Sequence, residues 1–248
     1  MRYVVVGAGP AGVIGAETLR RQDASAEITL VSGEDEVPYS RMAIPYLLEG
    51  NIQEEGTHLR REPGHYEAQR IGVLRGKRVV KVDPKAHSVT LDYGQSLPYD
   101  KLLLATGSRP VAPPIEGIEQ EGVYPCWTLA QAREIKSRLT DGSHVVLIGA
   151  GFIGSIILDA IGSQNLTLTV VEADTHMTPR MMNRSGGDVM KAWCEGKGVR
   201  ILTETLVRSI KAGGERRFTL ALGGGETVAA DLVVRATGVK PILDYLDG

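Results

Sequence analysis

Arg2-Tyr3-Val4-Val5-Val6-Gly7-Ala8-Gly9-Pro10-Ala11-Gly12 is the stretch whose reading decides the fold. Arg2 to Val6 is β-rich and apolar without alternation, as in a strand buried on both faces of a parallel sheet, and it stops at Gly7. From Ala11 to Arg21 the pattern turns helical, with Val13, Ile14 and Leu19 spaced to face a sheet, and a second apolar run follows from Ile28 to Val31. Strand, glycine turn, helix and strand make a βαβ unit. At such a junction, glycines in a G-x-G-x-x-G spacing let backbone amides approach a pyrophosphate at the helix N-terminus, where the dipole favours the anion by ~0.3–1 kcal/mol. Gly7, Gly9, Pro10, Ala11 and Gly12 are therefore candidate pyrophosphate contacts. An isolated turn of this kind also serves packing, but here an acidic cluster, Glu34-Asp35-Glu36, lies just past the second strand, where a carboxylate can accept ribose hydroxyls. Glu34 is the candidate, with Ser32 at the strand end as the competing position.

The pattern then starts again. A strand from His144 to Ile148 leads into Gly149-Ala150-Gly151-Phe152-Ile153-Gly154, a helix from about Phe152 to Gly162 and a strand from Leu166 to Val171. Gly149, Gly151, Phe152, Ile153 and Gly154 are the candidate contacts, and Glu172 ends the second strand. A carboxylate there binds the 2′ and 3′ hydroxyls of an adenosine ribose and repels a 2′-phosphate. No arginine or lysine follows until Arg180, so NADH is expected over NADPH. Two such units predict an α/β fold with two Rossmann-like units, each around a central parallel sheet, and two dinucleotide sites.

The remaining segments are less regular. Ser32 to about Gly64 is polar and turn-rich, and Gly72–Leu74, Arg78–Val82 and Ser88–Leu91 read as short antiparallel strands. Lys101 to Ala105 is another buried-type strand, after which Pro110, Pro113 and Pro114 stiffen an expected interdomain connection. A helix from about Gly187 to Gly198, short strands between Arg200 and Val228, and a buried strand Asp231–Ala236 are expected in the second half.

Composition narrows the function classes. Among 248 residues, 28 lysines and arginines nearly balance 30 aspartates and glutamates, so no basic field awaits a nucleic acid. No apolar run reaches the ~18–20 residues of a membrane helix and no signal peptide opens the chain, so a cytoplasmic protein without a membrane partner is expected. Two cysteines, Cys126 and Cys194, and five histidines show no metal-ligand or disulfide spacing, and no metal is expected.

With these motifs in order, the sequence resembles the FAD-dependent pyridine nucleotide-disulfide oxidoreductase superfamily, in particular its rubredoxin reductase-like and nitrite reductase-like branches. The resemblance covers essentially the whole chain. It includes Pro38-Tyr39-Ser40-Arg41, similar to the family's flavin-side loop, and Ala105-Thr106-Gly107-Ser108-Arg109-Pro110, similar to its second flavin motif at the crossover between domains. Ala236-Thr237-Gly238-Val239-Lys240-Pro241 resembles the return crossover, and Val79 falls where the family's backbone meets the adenine. The resemblance implies FAD and NAD(H) as cofactors, with Arg41, Val79, Ala105, Thr106, Gly107, Arg109, Thr237 and Gly238 among the cofactor contacts. It implies an NAD domain inserted into the FAD domain: 1–112 FAD-binding, 113–236 NAD(H)-binding and 237–248 the return crossover. Family members continue into a further flavin-binding segment and an interface domain that this sequence lacks, which implies a fragment or a natural short variant.

Two departures bear on chemistry. Met42 stands where disulfide-type members carry a cysteine, and a thioether forms neither thiolate nor disulfide. Ile156 stands where the family places a glutamate near the nicotinamide. No catalytic side chain is therefore expected: NADH delivers hydride to FAD, electrons pass to a separate acceptor protein or centre, and the protein's part is positioning. The alternative is a non-catalytic or truncated NAD(H)-binding module acting as sensor or subunit. The small-molecule partners are the nucleotides, and a homodimer is suggested by the family resemblance.

Overall fold

The computed structural model describes residues 1–246; Asp247 and Gly248, the end of the expected return crossover, lie outside the described residues. The first half runs β1 (Arg2–Val6), α1 (Pro10–Gln22), β2 (Glu27–Val31), α2 (Ile44–Glu49), α3 (His65–Ala68), β3 (Ile71–Leu74), β4 (Val79–Asp83), β5 (Ser88–Leu91), β6 (Ser96–Pro98), β7 (Lys101–Leu104) and β8 (Ser108–Pro110). The second runs β9 (Val123–Pro125), α4 (Leu129–Lys136), β10 (His144–Ile148), α5 (Phe152–Gly162), β11 (Thr167–Val171), α6 (Arg184–Glu195), β12 (Arg200–Leu202), β13 (Val207–Ala212), β14 (Phe218–Leu222), β15 (Thr227–Ala230), β16 (Leu232–Arg235) and β17 (Val239–Pro241). They form two compact units. The first comprises Met1–Ala43, Ile52–Arg109 and the segment from Pro241; the second comprises Ile44–Asn51 and Pro110–Lys240.

In the first unit a parallel sheet of order β3-β2-β1-β7 carries β1 inside it, which is why its residues are apolar without alternation. Val5 packs with Val13 and Ala16 of α1, while Val4 and Val6 pack on the opposite face with Val89, Leu91 and Tyr99. Each buried valine contributes ~1.5–3 kcal/mol. β4, β5 and β6 form the antiparallel sheet that supplies this second layer.

Two strands differ from the sequence reading. β3, expected to be antiparallel, pairs in parallel with β2, Ile28 against Ile71, because the long excursion after Val31 returns the chain to the same end of the sheet. β7, expected to be buried, is the sheet's edge among the described residues, and Leu103 and Leu104 remain 38% and 39% exposed.

Glu17, on the second half of α1, is buried under an ion cluster. Arg60 donates from Nε and Nη2 to its two carboxylate oxygens at 2.7 and 2.6 Å, and His65 Nε2 lies 2.9 Å from Oε1. Burial pushes this carboxyl up, but the hydrogen bonds and charges of Arg60 and His65 outweigh it and hold it below the ordinary 4.5. A carboxyl lowered on folding stabilises above its unfolded pKa, and that contribution is lost as pH falls through the folded value. The melting temperature is therefore expected to fall on acidification below pH 4.5, with Glu17→Gln flattening that limb. At neutral pH the same variant should lose ~2 kcal/mol, a value moderated because Arg60, 29% exposed, keeps part of its hydration.

The second unit repeats the plan. Its parallel sheet has the order β12-β11-β10-β16-β9, with all pairs parallel. Val146, Ile148, Val171 and Val233 pack against Phe218, Leu220, Leu222 and Val228 of the antiparallel sheet β13-β14-β15. α5 lies along β10 and β11. α4 begins at a capping box: Thr128 Oγ1 accepts from the Gln131 amide while the Gln131 side chain accepts from the Thr128 amide. α6 starts at Arg184, three residues before its expected start, because Asn183 caps it by accepting from the Gly186 amide at 3.0 Å.

Candidate functional site

Each unit builds its site from the end of its first strand. Gly7 has φ +108° and donates its N–H to Val31 O at 2.8 Å; a Cβ there would stand 2.2 Å from the Ala105 carbonyl oxygen. A Cβ on Gly12 would stand 1.8 Å from the Gly7 carbonyl oxygen, so α1 can enter this close only with glycine. Gly9 is different: nothing lies within 4 Å of where its Cβ would be. It caps α1 without a side chain, Pro10 occupies the helix start, and no acid stands in the first turn. The two outer glycines thus close the turn against backbone, and the middle one leaves a helix N-terminus that nothing of this chain's own side chains caps.

The second unit repeats this atom for atom. Gly149 has φ +99° and donates to Val171 O at 2.8 Å, its Cβ would stand 2.6 Å from Ala236 O, and a Cβ on Gly154 would stand 2.1 Å from Gly149 O. Gly151 faces open space and caps α5 without a side chain. A glycine that neither packing nor φ requires, placed before uncapped helix amides, fits a diphosphate. The donor set therefore suits the phosphate bridge of a dinucleotide in both units.

The Ala-Thr-Gly runs close both turns. Ala105 N–H donates to Val6 O at 2.8 Å and Ala236 N–H to Ile148 O at 2.7 Å, which places their carbonyls over Gly7 and Gly149. Thr106 Oγ1 lies 3.1 Å from Ile242 O and 2.9 Å from the Tyr245 hydroxyl, while Thr237 Oγ1 donates to Val111 O at 2.7 Å. Gly107 accepts from the Ile242 amide at 3.1 Å and Gly238 from the Val111 amide at 2.9 Å. Arg109 forms a two-bond ion pair with Asp244.

The acidic candidates sit differently in the two units. Glu172 is buried beside the second glycine turn, accepting from the Ala150 amide at 2.5 Å and the Asp174 amide at 2.9 Å. Thr178, which the sequence reading did not single out, donates its N–H to Ala150 O at 2.8 Å and holds the same turn from the other side. Glu34 is drawn toward the Pro38–Arg41 loop, accepting from the Tyr39 hydroxyl at 2.7 Å and from Arg41 at 2.8 Å. Arg41 also donates to Ser108 O at 3.2 Å, so loop, acid and crossover converge. Ser32, buried at the strand end, donates from Oγ to Glu34 O. Ser32 O accepts from the Lys77 amide, which brings the chain leading to Val79 along the end of β2. Phe152 is exposed, and Ile153 and Ile156 are half-buried on α5.

Thiol chemistry has no seat here. Burial alone pushes the Cys126 thiol up to about 12, and burial also raises Cys194. Met42, 66% exposed, occupies a single helical turn after Arg41. Among the described residues no cluster of His, Cys, Asp or Glu is arranged to hold a metal, and no helix is long and apolar enough to cross a membrane.

The family model for pyridine nucleotide-disulphide oxidoreductases matches residues 1–247. Among curated relatives, the NADH oxidase of Methanocaldococcus jannaschii is 30% identical over 98% of this chain and 56% of its own length. The ferredoxin–NAD(+) reductase component of the anthranilate 1,2-dioxygenase system of Burkholderia cepacia is 35% identical over 96% of this chain and 59% of its own. Among solved structures, a NAD-dependent persulfide reductase from A. fulgidus superposes with a TM-score of 0.92 at 32% identity, over 99% of this chain and 46% of that one. The chain thus spans between half and two thirds of the length of these curated relatives. All three are named for NADH, NAD(+) or NAD. With both glycine turns intact and the match running from end to end, the chain belongs to the pyridine nucleotide-disulphide oxidoreductase family.

Proposed function

We propose that the first unit holds FAD over the α1 turn, that the second holds NAD(H) over the α5 turn, and that the protein serves an NADH-dependent flavoprotein oxidoreductase with a separate electron acceptor. One observation carries the reading: the same glycine trio, closed by the same Ala-Thr-Gly run, leaves Gly9 and Gly151 facing open space in both units. Bound together, the two cofactors supply the redox chemistry, hydride passing from NADH to FAD and electrons onward to the acceptor. The chain's own residues position them. Amides at the starts of α1 and α5 receive the diphosphates; Glu172 receives the NADH ribose; Glu34 or Ser32 receives the FAD ribose; Arg41, Val79, Thr106, Gly107 and Arg109 line the flavin side.

Anaerobic addition of NADH to FAD-loaded protein should bleach the flavin's visible absorbance stoichiometrically. The second reading, a module that binds NAD(H) alone, is favoured by Ile156, whose side chain cannot hydrogen-bond a carboxamide. Colourless protein that binds NADH but carries no FAD through gel filtration would decide for it.

Glu172→Gln keeps the side chain's shape and removes the charge that repels a 2′-phosphate. The preference for NADH over NADPH is expected to shrink about tenfold, ~1.4 kcal/mol, in paired titrations of the two nucleotides. An unchanged ratio would remove Glu172 from the ribose site.

A further inference from the structure

The outer face of α6 exposes more apolar surface than any role in the second unit explains. Val189 is 72% exposed, Trp193 54%, Met181 61% and Met182 44%. At 3.6 residues per turn, Gly186, Val189 and Trp193 fall along one flank of the helix, and Met182, just before the Asn183 cap, packs over Gly186. Ser185 and Ala192, small and exposed, follow the middle of its outward face. Arg184, Asp188, Lys191 and Glu195 run along the other flank with signs alternating from the N- to the C-terminal end. We propose that this face docks a second copy of the chain, the two α6 helices packing antiparallel about a two-fold axis that passes between Val189 and Met190.

Antiparallel packing sets each flank against the same flank of the other copy, so a surface must complement its own reversal. The charged flank does so: in this register Arg184 meets Glu195 of the second copy and Asp188 meets its Lys191, each pair of opposite sign and each occurring twice. The apolar flank does so as well, because Trp193 comes over the second copy's Gly186 and the Met182 side chain that covers it, 3.3 Å from where a Gly186 Cβ would stand, indole against thioether. Ser185 and Ala192 let the backbones approach. Displacing one helix by four residues brings like charges together, Arg184 against Lys191 or Asp188 against Glu195, and a parallel two-fold sets the charged flank against the apolar one. The existing pairs within the helix, Arg184–Asp188 at 3.8 Å and Lys191–Glu195 at 3.9 Å, are long and exposed, and cost little to share. One pair of three-turn helices makes a small interface, so the association is weak and concentration-dependent.

Sedimentation equilibrium of the full chain should show a reversible monomer–dimer equilibrium. Arg184→Glu and Glu195→Arg should each weaken it at least about fivefold, since each places two like-charged pairs across the axis. The double exchange R184E/E195R should restore it to within about twofold, and so should mixing the two single variants in equal amounts, which only a cross-copy pairing predicts. Val189→Cys, beside the axis, should form covalent dimers on mild oxidation, whereas Val80→Cys, also exposed at 51% in the other unit, should not. Circular dichroism of every variant separates failed folding from failed docking. A chain that stays monomeric at several hundred micromolar, or a dimer indifferent to all α6 changes, overturns the proposal; in the first case the stripe belongs to a different partner.

Discussion

Gly9→Val is expected to leave the protein folded and to abolish its retention of FAD. The backbone at Gly9 is extended, φ −75° and ψ −177°, which valine adopts without strain, and the space before it is open. Nothing in the fold resists the change, so the melting temperature should stay within about 2 °C of the parent. The branched side chain would instead fill the approach to the α1 amides. Each charge-assisted hydrogen bond lost from a diphosphate is worth ~1.5–3 kcal/mol, so the loss of two weakens binding at least about 100-fold. Gly151→Val should do the same to NADH while FAD stays bound. The check is a pair of calorimetric titrations with visible spectra; Gly9→Val protein that emerges yellow from gel filtration would refute the cradle.

Gly12→Val should fail in the opposite way. Its Cβ would stand 1.8 Å from the Gly7 carbonyl oxygen, a backbone atom fixed by its place between β1 and α1, and no rotamer relieves the overlap. The helix has to move off the sheet, separating Val13 and Ala16 from Val5 and Leu30. A cost above ~3 kcal/mol is expected against a total stability of ~5–15, with aggregation on expression or a melting temperature lowered by ten degrees or more. Gly154→Val should damage the second unit for the same reason, its Cβ falling 2.1 Å from Gly149 O. A middle glycine that spares the fold and an outer one that breaks it distinguish a ligand cradle from a packing turn.

The β1–α1–β2 and β10–α5–β11 units are legible in the sequence because strands buried on both faces leave unbroken apolar runs, and glycine marks where they stop. Neighbour relations are not. The alternating look of Gly72–Leu74 says nothing of whether β3 lies parallel or antiparallel to its neighbour, and the apolarity of Leu102–Leu104 does not reveal an edge. α4 is marked in the sequence by Thr128 and Gln131, which spell its capping box, a local signal that hydrophobic periodicity alone does not carry. For α6, the sequence puts the start at about Gly187, three residues late; Gly187 is buried, and a Cβ there would stand 2.6 Å from His176 Cδ2 and 2.7 Å from the Met177 carbonyl oxygen, so glycine is there for packing. In the candidate site, the glycine runs and Ala-Thr-Gly runs could be located by eye. That each alanine carbonyl covers the first glycine could not, because the contact joins residues on strands that only the folded sheet makes adjacent.

The anchoring of Thr106 and Gly107 to Ile242 and Tyr245 has a bearing on biosynthesis. As the ribosome releases the polypeptide from its N-terminus, β9 to β16 of the second unit have emerged before the first unit receives its segment from Pro241. The second unit can thus finish folding while the first still waits for the residues that tie down its crossover, and a released chain ending at Lys240 should already protect β10, β11 and β16 from protease.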